Sequence, residues 1–187
     1  MSSTQMARAA APVFTLVAYL PDPLGGYLNA MREALPGHKA GNVHLTLLPP
    51  RPVAAELDCA FLELEESLGE FDRFEVSLTD VTMFEDTGVV YIAVDHGQQE
   101  SRQIHKKLNR GTFAFQEPFD YKPHITLVRP VDEASRPNVQ EQAIELWQRC
   151  PFPRKFELAA VDFLRQAPDG KWEKLWQKAL GESLKHL

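Results

Sequence analysis

The sequence predicts an α+β fold in which two similar lobes face each other across a groove. Three observations support this prediction. Segments with strand and helix periodicity alternate along the chain, their order repeats once, and the tetrapeptide His-apolar-Thr-Leu occurs in both repeats, at residues 44–47 and 124–127. Two repeats are too few to build a solenoid, but they suffice to form a groove with one motif on each side.

The first repeat spans residues 13–84 and begins with a strand. Its opening segment, VFTLVAYL, is β-branched, aromatic and apolar, and the breaker Pro-Asp-Pro ends it. The next segment has apolar residues at helical spacing until Pro36 and Gly37, which end the helix. The remaining predicted elements are a motif strand at 43–48 closed by Pro49 and Pro50, a helix from about 53 to 69 and a strand at 74–84.

The second repeat spans residues 88–165 and has the same order of elements. The segment GVVYIAVDHG predicts a strand, and a helix then begins after Gly97 and ends at Gly111. The motif strand HITLVRP is again closed by a proline. A helix in NVQEQAIELWQRC and a strand at 155–164 complete the unit. The motif histidines are 80 residues apart and the Phe-Glu pairs that open the last strands are 82 apart, so the repeats align with little shift.

The composition is typical of a single globular domain. The chain has 187 residues, of which 44% are apolar and 25% charged, and this length suffices to bury a core. We expect a disordered leader at 1–12, which has no apolar segment of secretory length, and one two-lobed domain at 13–187. The two cysteines lack metal-type spacing, which is typical of reduced thiols. We therefore expect a cytoplasmic protein that acts as a monomer.

The charge and hydropathy argue against two classes of partner. The net charge of −6 disfavours binding to duplex DNA, because neutralising many phosphates requires an excess of Lys and Arg. A nucleotide or a short RNA end remains compatible with this charge. No apolar run approaches the roughly 18 residues that a membrane span requires, so no membrane partner is expected.

In each motif, the histidine and the threonine share one face of a strand. Residues i and i+2 of a strand point to the same side, so His44 and Thr46 face one way and Leu45 and Leu47 the other. His124 repeats this arrangement with the threonine two residues later. The polar pair can therefore line the groove while the apolar pair anchors the strand in the core.

The residue types in the motifs are those needed to attack a phosphodiester. Histidine gives or takes a proton near neutral pH, and a threonine hydroxyl donates to a phosphate oxygen. His44, Thr46, His124 and Thr126 would together supply a general base, a general acid and two oxyanion donors. A single His-x-Thr triplet has little diagnostic value, because a strand histidine is commonly a packing residue. Its duplication at matching places favours a catalytic function.

Other residues near the motifs are weaker candidates. Arg51 and Arg129 follow the two motifs and could hold a phosphate or a ribose oxygen, although a surface arginine is an equal alternative. Tyr121 precedes the second motif and could stack a base, although a core position is the commoner use of such a residue. The four remaining histidines, His38, His96, His105 and His186, are predicted to be solvated surface residues. Zinc is a weak alternative, because no third ligand accompanies either motif.

The motifs HLTL at 44–47 and HITL at 124–127 resemble those of the two-histidine phosphoesterase superfamily, which includes 2′-5′ RNA ligase-like and RNA 2′,3′-cyclic phosphodiesterase proteins. The second motif, PHITLVR, is similar to that family's second motif with its trailing arginine. The resemblance extends in pattern over residues 13–180. It implies a bilobal α+β fold, with two mainly antiparallel sheets flanked by helices around a central groove.

The resemblance also implies an activity and roles for the motif residues. The expected reaction is metal-independent phosphodiester chemistry on 2′,3′-cyclic or 2′-5′-linked nucleotides or RNA ends, with no cofactor. His44 and His124 would be the acid and base pair, with His124 the base, and Thr46 and Thr126 would bind the phosphate. Two alternatives stay open: a nucleotide-binding module without catalysis, and a structural protein whose groove holds a partner peptide.

Overall fold

The structure is a computed structural model and describes residues 12–37, 41–53, 55–129 and 132–181. These residues form eight strands, four α-helices and one 3₁₀ helix. The predicted leader at 1–12 lies outside these residues, except for its last position. The elements in chain order are β1 (Val13–Tyr19), α1 (Leu24–Ala34), β2 (His44–Pro52), α2 (Leu57–Leu68), β3 (Phe74–Met83), β4 (Val90–Val94), α3 (Gln98–Leu108), a 3₁₀ helix (Gly111–Phe113), β5 (His124–Val128), α4 (Arg136–Gln148), β6 (Lys155–Leu158), β7 (Ala160–Gln166) and β8 (Trp172–Ala179).

The strands form one curled antiparallel sheet with the order β6-β3-β4-β5-β2-β1-β7-β8. The α+β class is thus confirmed, but the structure joins the strands into one sheet where two were expected. The reason is that β2 and β5, the two motif strands, pair directly with each other. Strands β6 and β7 are separated only by Ala159, yet they pair with β3 and β1 respectively. The division into lobe repeats at 13–84 and 88–165 stays a prediction.

Strand β2 is longer than expected, because Pro49 and Pro50 do not end it. The strand continues through Arg51 to Pro52, which lies opposite Val13 of β1. On its other side, β2 pairs with β5 at only one position, well before the prolines. A proline lacks the N–H that a ladder uses, so it is tolerated where one edge of a strand has no partner. The register shifts in the β1 and β2 ladder occupy the same region.

The apolar core lies between the helices and one face of the sheet. Leu45 of β2 and Ile125 of β5 are fully buried in it, together with Leu28 of α1 and Ile104 of α3. Because side chains alternate along a strand, the residues on either side of Leu45 and Ile125 point to the opposite face of the sheet. The packing that anchors the motif strands therefore also turns their polar residues away from the core.

Helix α3 begins where the sequence predicts, at a glycine with a special conformation. Gly97 has φ of +85°, a left-handed value that favours glycine. A Cβ at this position would lie 2.9 Å from the backbone oxygen of Glu75, which leaves no room for a side chain. The turn after β4 thus requires glycine, and it directs α3 back across the sheet toward β2.

Other elements differ from the prediction in their bounds or in being present at all. Helix α2 begins at Leu57 and not near 53, because β2 continues to Pro52. The predicted strand at 155–164 is divided into β6 and β7. Strand β8 was not expected, since its charged and largely exposed sequence lacks an apolar run, but it pairs along its whole length with β7. None of the helices in the described part of the chain combines the length and the apolar character that a membrane span requires.

Candidate active site

The two motifs lie side by side on the face of the sheet opposite the core. Leu45 and Ile125 are paired in the antiparallel contact between β2 and β5. This register places His44 across from Thr126, and Thr46 across from His124. Directly opposite side chains have Cβ atoms about 4.5–5.5 Å apart and diagonal ones about 7–8 Å, so the two imidazoles are diagonal neighbours. A phosphate group fits between side chains at this separation.

Each imidazole is held by a hydrogen bond to the backbone two residues earlier. Nδ1 of His44 lies 2.8 Å from the carbonyl oxygen of Asn42, and Nδ1 of His124 lies 2.6 Å from that of Lys122. A carbonyl oxygen can only accept, so each Nδ1 carries a proton and donates it. The other nitrogen, Nε2, is left to take or give a proton in the groove. Both histidines are therefore oriented in the same way for proton transfer.

The surroundings favour the neutral form of both imidazoles. Burial lowers the pKa of His44 and of His124, while the hydrogen bonds from Nδ1 oppose this effect. The positive charge of Arg32 lowers the pKa of His44 further. The charges of Arg129 and Lys122 do the same for His124. Three cations thus surround the motif residues of a chain whose net charge is −6, which makes this face suited to an anion.

Aromatic rings contact both histidines. The ring of Tyr19 meets that of His44 edge-on, with centroids 5.9 Å apart. Phe84 and Tyr91 stack on each other at 4.1 Å and both contact His124 edge-on, at 5.1 and 5.2 Å. The ammonium of Lys122 lies over this pair and donates to the Tyr91 hydroxyl at 2.7 Å. These contacts exclude water from one side of each imidazole and limit its rotation.

Both motif threonines are partly buried and have their hydroxyls available. Within the part of the chain that the structure describes, neither the Thr46 nor the Thr126 hydroxyl has a hydrogen-bond partner. Both hydroxyls are open to solvent, so a ligand in the groove can reach them. A bound phosphate oxygen would accept a hydrogen bond from each of them. The pair is thus suited to hold the anion between the two imidazoles.

The structure brings one of the predicted arginines to the motifs and separates the other. Arg129 is exposed directly after β5, and its charge acts on His124. Arg51 is only 1% exposed, and its guanidinium donates to Glu117, Asn109 and the backbone oxygens of Pro49 and Phe113. These contacts occupy the guanidinium on the core side of the sheet. Because Arg51 is buried, it is not a surface arginine, which was the alternative prediction.

Tyr121 occupies a different environment from the predicted base-stacking position. Its hydroxyl donates to the backbone oxygen of Thr46 at 2.8 Å. One face of its ring is covered by His105, with centroids 4.0 Å apart and the rings 1° from parallel. Because His105 covers one face of the Tyr121 ring, only the other face could stack on a nucleobase. The hydroxyl contacts the motif strand β2 at the backbone oxygen of Thr46.

Of the other histidines, one prediction is wrong. His105 is buried and not solvated, because its Nε2 contacts the carboxylate of Glu117 at 2.8 Å and its ring stacks on Tyr121. His96 is exposed as predicted and bonds the backbone of Glu75. The predictions for His38 and His186 lie outside the described residues.

Five residues that lie beside the motif histidines were missed by the sequence analysis, namely Arg32, Lys122, Tyr19, Phe84 and Tyr91. Arg32 lies on α1, far from the motifs in sequence, and donates to the backbone oxygen of Leu127 in β5 at 3.1 Å. Only the packing of α1 against β5 brings it there. Lys122 is two residues before His124, and a cation on the same side of the extended chain as the histidine was a signal in the sequence.

The described residues hold no group of three or more His, Cys, Asp or Glu side chains with the geometry of a metal site. The two motif histidines are accompanied by threonines, whose hydroxyls are not the ligands that structural zinc favours.

Comparison with known proteins finds a matching family model and similar solved structures. The family model for the 2′-5′ RNA ligase superfamily matches residues 20–170. No curated protein sequence matches the chain.

Among solved structures, Escherichia coli LigT complexed with 3′-AMP is 22% identical, with a TM-score of 0.66, and the match covers 91% of this chain and 99% of that one. LigT complexed with phosphate is 22% identical, with a TM-score of 0.63 and coverage of 92% and 100%. The TT0787 protein of Thermus thermophilus is 20% identical, with a TM-score of 0.61 and coverage of 91% and 99%. At these identities the solved structures establish the fold alone.

Proposed function

The chain belongs to the 2′-5′ RNA ligase superfamily of two-histidine phosphoesterases, and we propose that it is a metal-independent phosphodiesterase acting on 2′,3′-cyclic phosphates or 2′-5′-linked nucleotides or RNA ends. The observation that carries this proposal is the pairing of β2 with β5. The Leu45 and Ile125 register gathers two oriented imidazoles and two threonine hydroxyls on one face. The LigT complexes with 3′-AMP and with phosphate are consistent with an anion site on this fold.

The phosphate of the substrate binds between the motifs. The hydroxyls of Thr46 and Thr126 donate to its non-bridging oxygens, and the surrounding cations offset its negative charge. These hydrogen bonds strengthen as charge builds up on the phosphorus oxygens, so they stabilise the transition state more than the bound substrate. The aromatic rings beside the imidazoles cover one side of each histidine ring.

Hydrolysis of a 2′,3′-cyclic phosphate then requires two proton transfers. One neutral imidazole takes a proton from water through Nε2 as the water oxygen forms a bond to phosphorus. On the opposite side, the bond between phosphorus and one ribose oxygen breaks, and that oxygen receives a proton from Nε2 of the second, protonated imidazole. The product is a phosphate monoester on the other ribose oxygen. The two histidines exchange protonation states during the reaction and are reset by solvent.

The neighbours of the histidines favour His124 as the base and His44 as the acid. A base must be neutral before the reaction, and positive charges nearby stabilise the neutral form. His124 has two cationic neighbours, Arg129 and Lys122, and the charge of His44 acts in the same direction, whereas His44 has one cationic neighbour, Arg32. This assignment agrees with the one that the family resemblance implies.

A substrate screen tests the proposed function. The purified protein would be incubated with the four 2′,3′-cyclic nucleotides, 2′-5′ dinucleotides and ADP-ribose cyclic phosphate, and products would be followed by phosphorus NMR. We expect conversion of at least one cyclic phosphate to a monoester, abolished in the His44→Ala and His124→Ala double variant. Binding of nucleotides without turnover would establish a binding module instead. If the protein neither binds nor converts any of these compounds, the proposal is overturned.

A further inference from the structure

We propose that Glu117, His105 and Tyr121 are positioning residues, which hold the Thr46 segment of β2 in place for phosphate binding. This inference rests on the proposed function of Thr46 as a phosphate ligand. The three residues lie outside both motifs, on α3 and on the loop before β5. None of them presents a reactive group to the phosphate, so their effect must pass through the backbone of β2.

The contacts form a continuous chain from the core to the motif strand. Glu117 Oε1 accepts hydrogen bonds from the Arg51 guanidinium and, at 2.8 Å, from His105 Nε2. The ring of His105 stacks on Tyr121 in parallel at 4.0 Å. The Tyr121 hydroxyl donates to the backbone oxygen of Thr46 at 2.8 Å. Each member is thus held by the one before it.

Arg51 connects this chain of contacts back to the same strand. It lies on β2 five residues after Thr46, and its guanidinium is buried against Glu117 and the backbone oxygen of Phe113. The loop before β5 is therefore attached to β2 at two points, by Arg51 and by Tyr121. Two attachment points fix the orientation of a segment as well as its distance, and a single point would leave it free to rotate.

The segment around Thr46 needs such support because the sheet is weakly paired there. The ladder between β2 and β5 consists of one residue pair. On the other side, the register of β1 against β2 shifts between Leu16 and Val17, the residue opposite Thr46. Where strand pairing is irregular, the backbone has more freedom to move. The hydrogen bond from the Tyr121 hydroxyl restrains the carbonyl group of Thr46, the residue whose hydroxyl binds the phosphate.

The burial of Tyr121 makes its hydroxyl a constant donor. Burial raises the pKa of this phenol, and the charge of Glu117 adds to the effect, so the hydroxyl keeps its proton throughout the working range of pH. The hydrogen bond to Thr46 is thus maintained whatever the protonation state of the motif histidines.

Tyr121→Phe is the sharpest test, because it removes the hydroxyl and leaves the stacking on His105. Tyr27→Phe is the matched control, since the Tyr27 hydroxyl also donates to a backbone oxygen, that of Leu146 at 2.5 Å, away from the motifs. We expect Tyr121→Phe to lower kcat for a cyclic phosphate by about tenfold and to weaken binding of inorganic phosphate, because small misplacements of a binding group are costly. Tyr27→Phe should change neither.

A double-mutant cycle shows whether Tyr121 acts through Thr46. In a Thr46→Val background, Tyr121→Phe should have little further effect on kcat or on phosphate binding. Equal effects of Tyr121→Phe in both backgrounds, or equal effects of the Tyr121 and Tyr27 variants, would overturn the inference. If the wild-type protein binds inorganic phosphate but turns over no cyclic phosphate, the proposed function fails while the phosphate measurements still decide the inference. If it neither binds inorganic phosphate nor turns over a cyclic phosphate, both fail.

Discussion

Leu45 of β2 and Ile125 of β5 face each other in the single residue pair that joins the two motif strands. Both side chains are fully buried in the core, so the pair cannot slip by one residue without exposing them. A slip would also turn the motif histidines and threonines into the core. The apolar residues inside the motifs thus determine where the polar ones meet, and this relationship explains why the tetrapeptide alternates polar and apolar positions.

Replacing either motif histidine by alanine should lower kcat/KM by about a hundredfold to ten-thousandfold, because each takes part in one proton transfer. His44→Ala and His124→Ala leave the buried core untouched, so circular dichroism should be unchanged. Thr46→Ala and Thr126→Ala should cost less, since water can replace part of a hydroxyl donor. His96→Ala, in an exposed loop, is the control. Full activity of either motif variant would contradict a two-histidine mechanism.

A substrate with an activated leaving group should separate the acid from the base. Such a substrate needs little help from a proton donor, so it should restore turnover in the variant that lacks the acid. We expect rescue of His44→Ala and not of His124→Ala, measured as the ratio of rates on activated and natural esters. Rescue of the opposite variant would reverse the two roles, and equal rescue of both would refute a division of labour.

The pH dependence of kcat/KM should be bell-shaped, with its maximum below the ordinary histidine pKa of about 6.5. Burial lowers the pKa of both imidazoles, so above neutral pH most of the free enzyme has lost the proton that the acid must give. The rate constant should therefore fall about tenfold per pH unit on the alkaline side. Initial rates at substrate concentrations below KM measure this profile. A maximum above about pH 8 would show that the imidazoles are not the groups that titrate.

Lys122→Met should raise the pKa of His124, because it removes a positive charge that favours the neutral ring. The backbone oxygen of Lys122 that accepts from Nδ1 is kept, so the ring stays oriented. Proton NMR titration of the imidazole gives the shift directly. Lys106→Met, on the exposed face of α3, is the matched control and should leave it unchanged. If the pKa of His124 does not rise, the charge of Lys122 does not act on this imidazole.

Turnover should survive treatment with EDTA. The imidazoles transfer the protons and the threonine hydroxyls and nearby cations bind the developing charge, so the site supplies these functions with its own side chains. The measurement is the rate before and after chelation and dialysis. Loss of activity that zinc or magnesium restores would favour metal-assisted hydrolysis instead.

The motif residues could be predicted from the sequence because their signal is local. The spacing of His44 and Thr46 requires only that the segment be a strand, since period-2 alternation then puts both on one face. The repetition of the pattern at His124 indicated that two strands contribute to one site. The same local argument failed at His105, whose charged neighbours along α3 suggested an exposed face, whereas its burial depends on Glu117 and Tyr121 in the loop before β5.

The prolines after the first motif illustrate a limit of local prediction. Prolines such as Pro49 and Pro50 end most strands, because a proline has no N–H to donate to the ladder. Here the strand needs only its β1 partner at that point, and Arg51 continues it into a buried contact with Glu117. Whether a strand has one neighbour or two is a property of the whole sheet, which the residues of one strand do not contain.

By itself, the sequence determined the alternation of strands and helices, the two histidines and two threonines, and the face of each strand on which they lie. These depend on backbone geometry and on apolar periodicity, both of which are set within a few residues. Only the tertiary structure decided that the strands form one sheet, that Arg32 and Lys122 lie beside the histidines, and that Tyr121 supports Thr46. Contacts between residues far apart in the chain depend on which surfaces pack together, and packing is decided by the shape and burial of the whole domain.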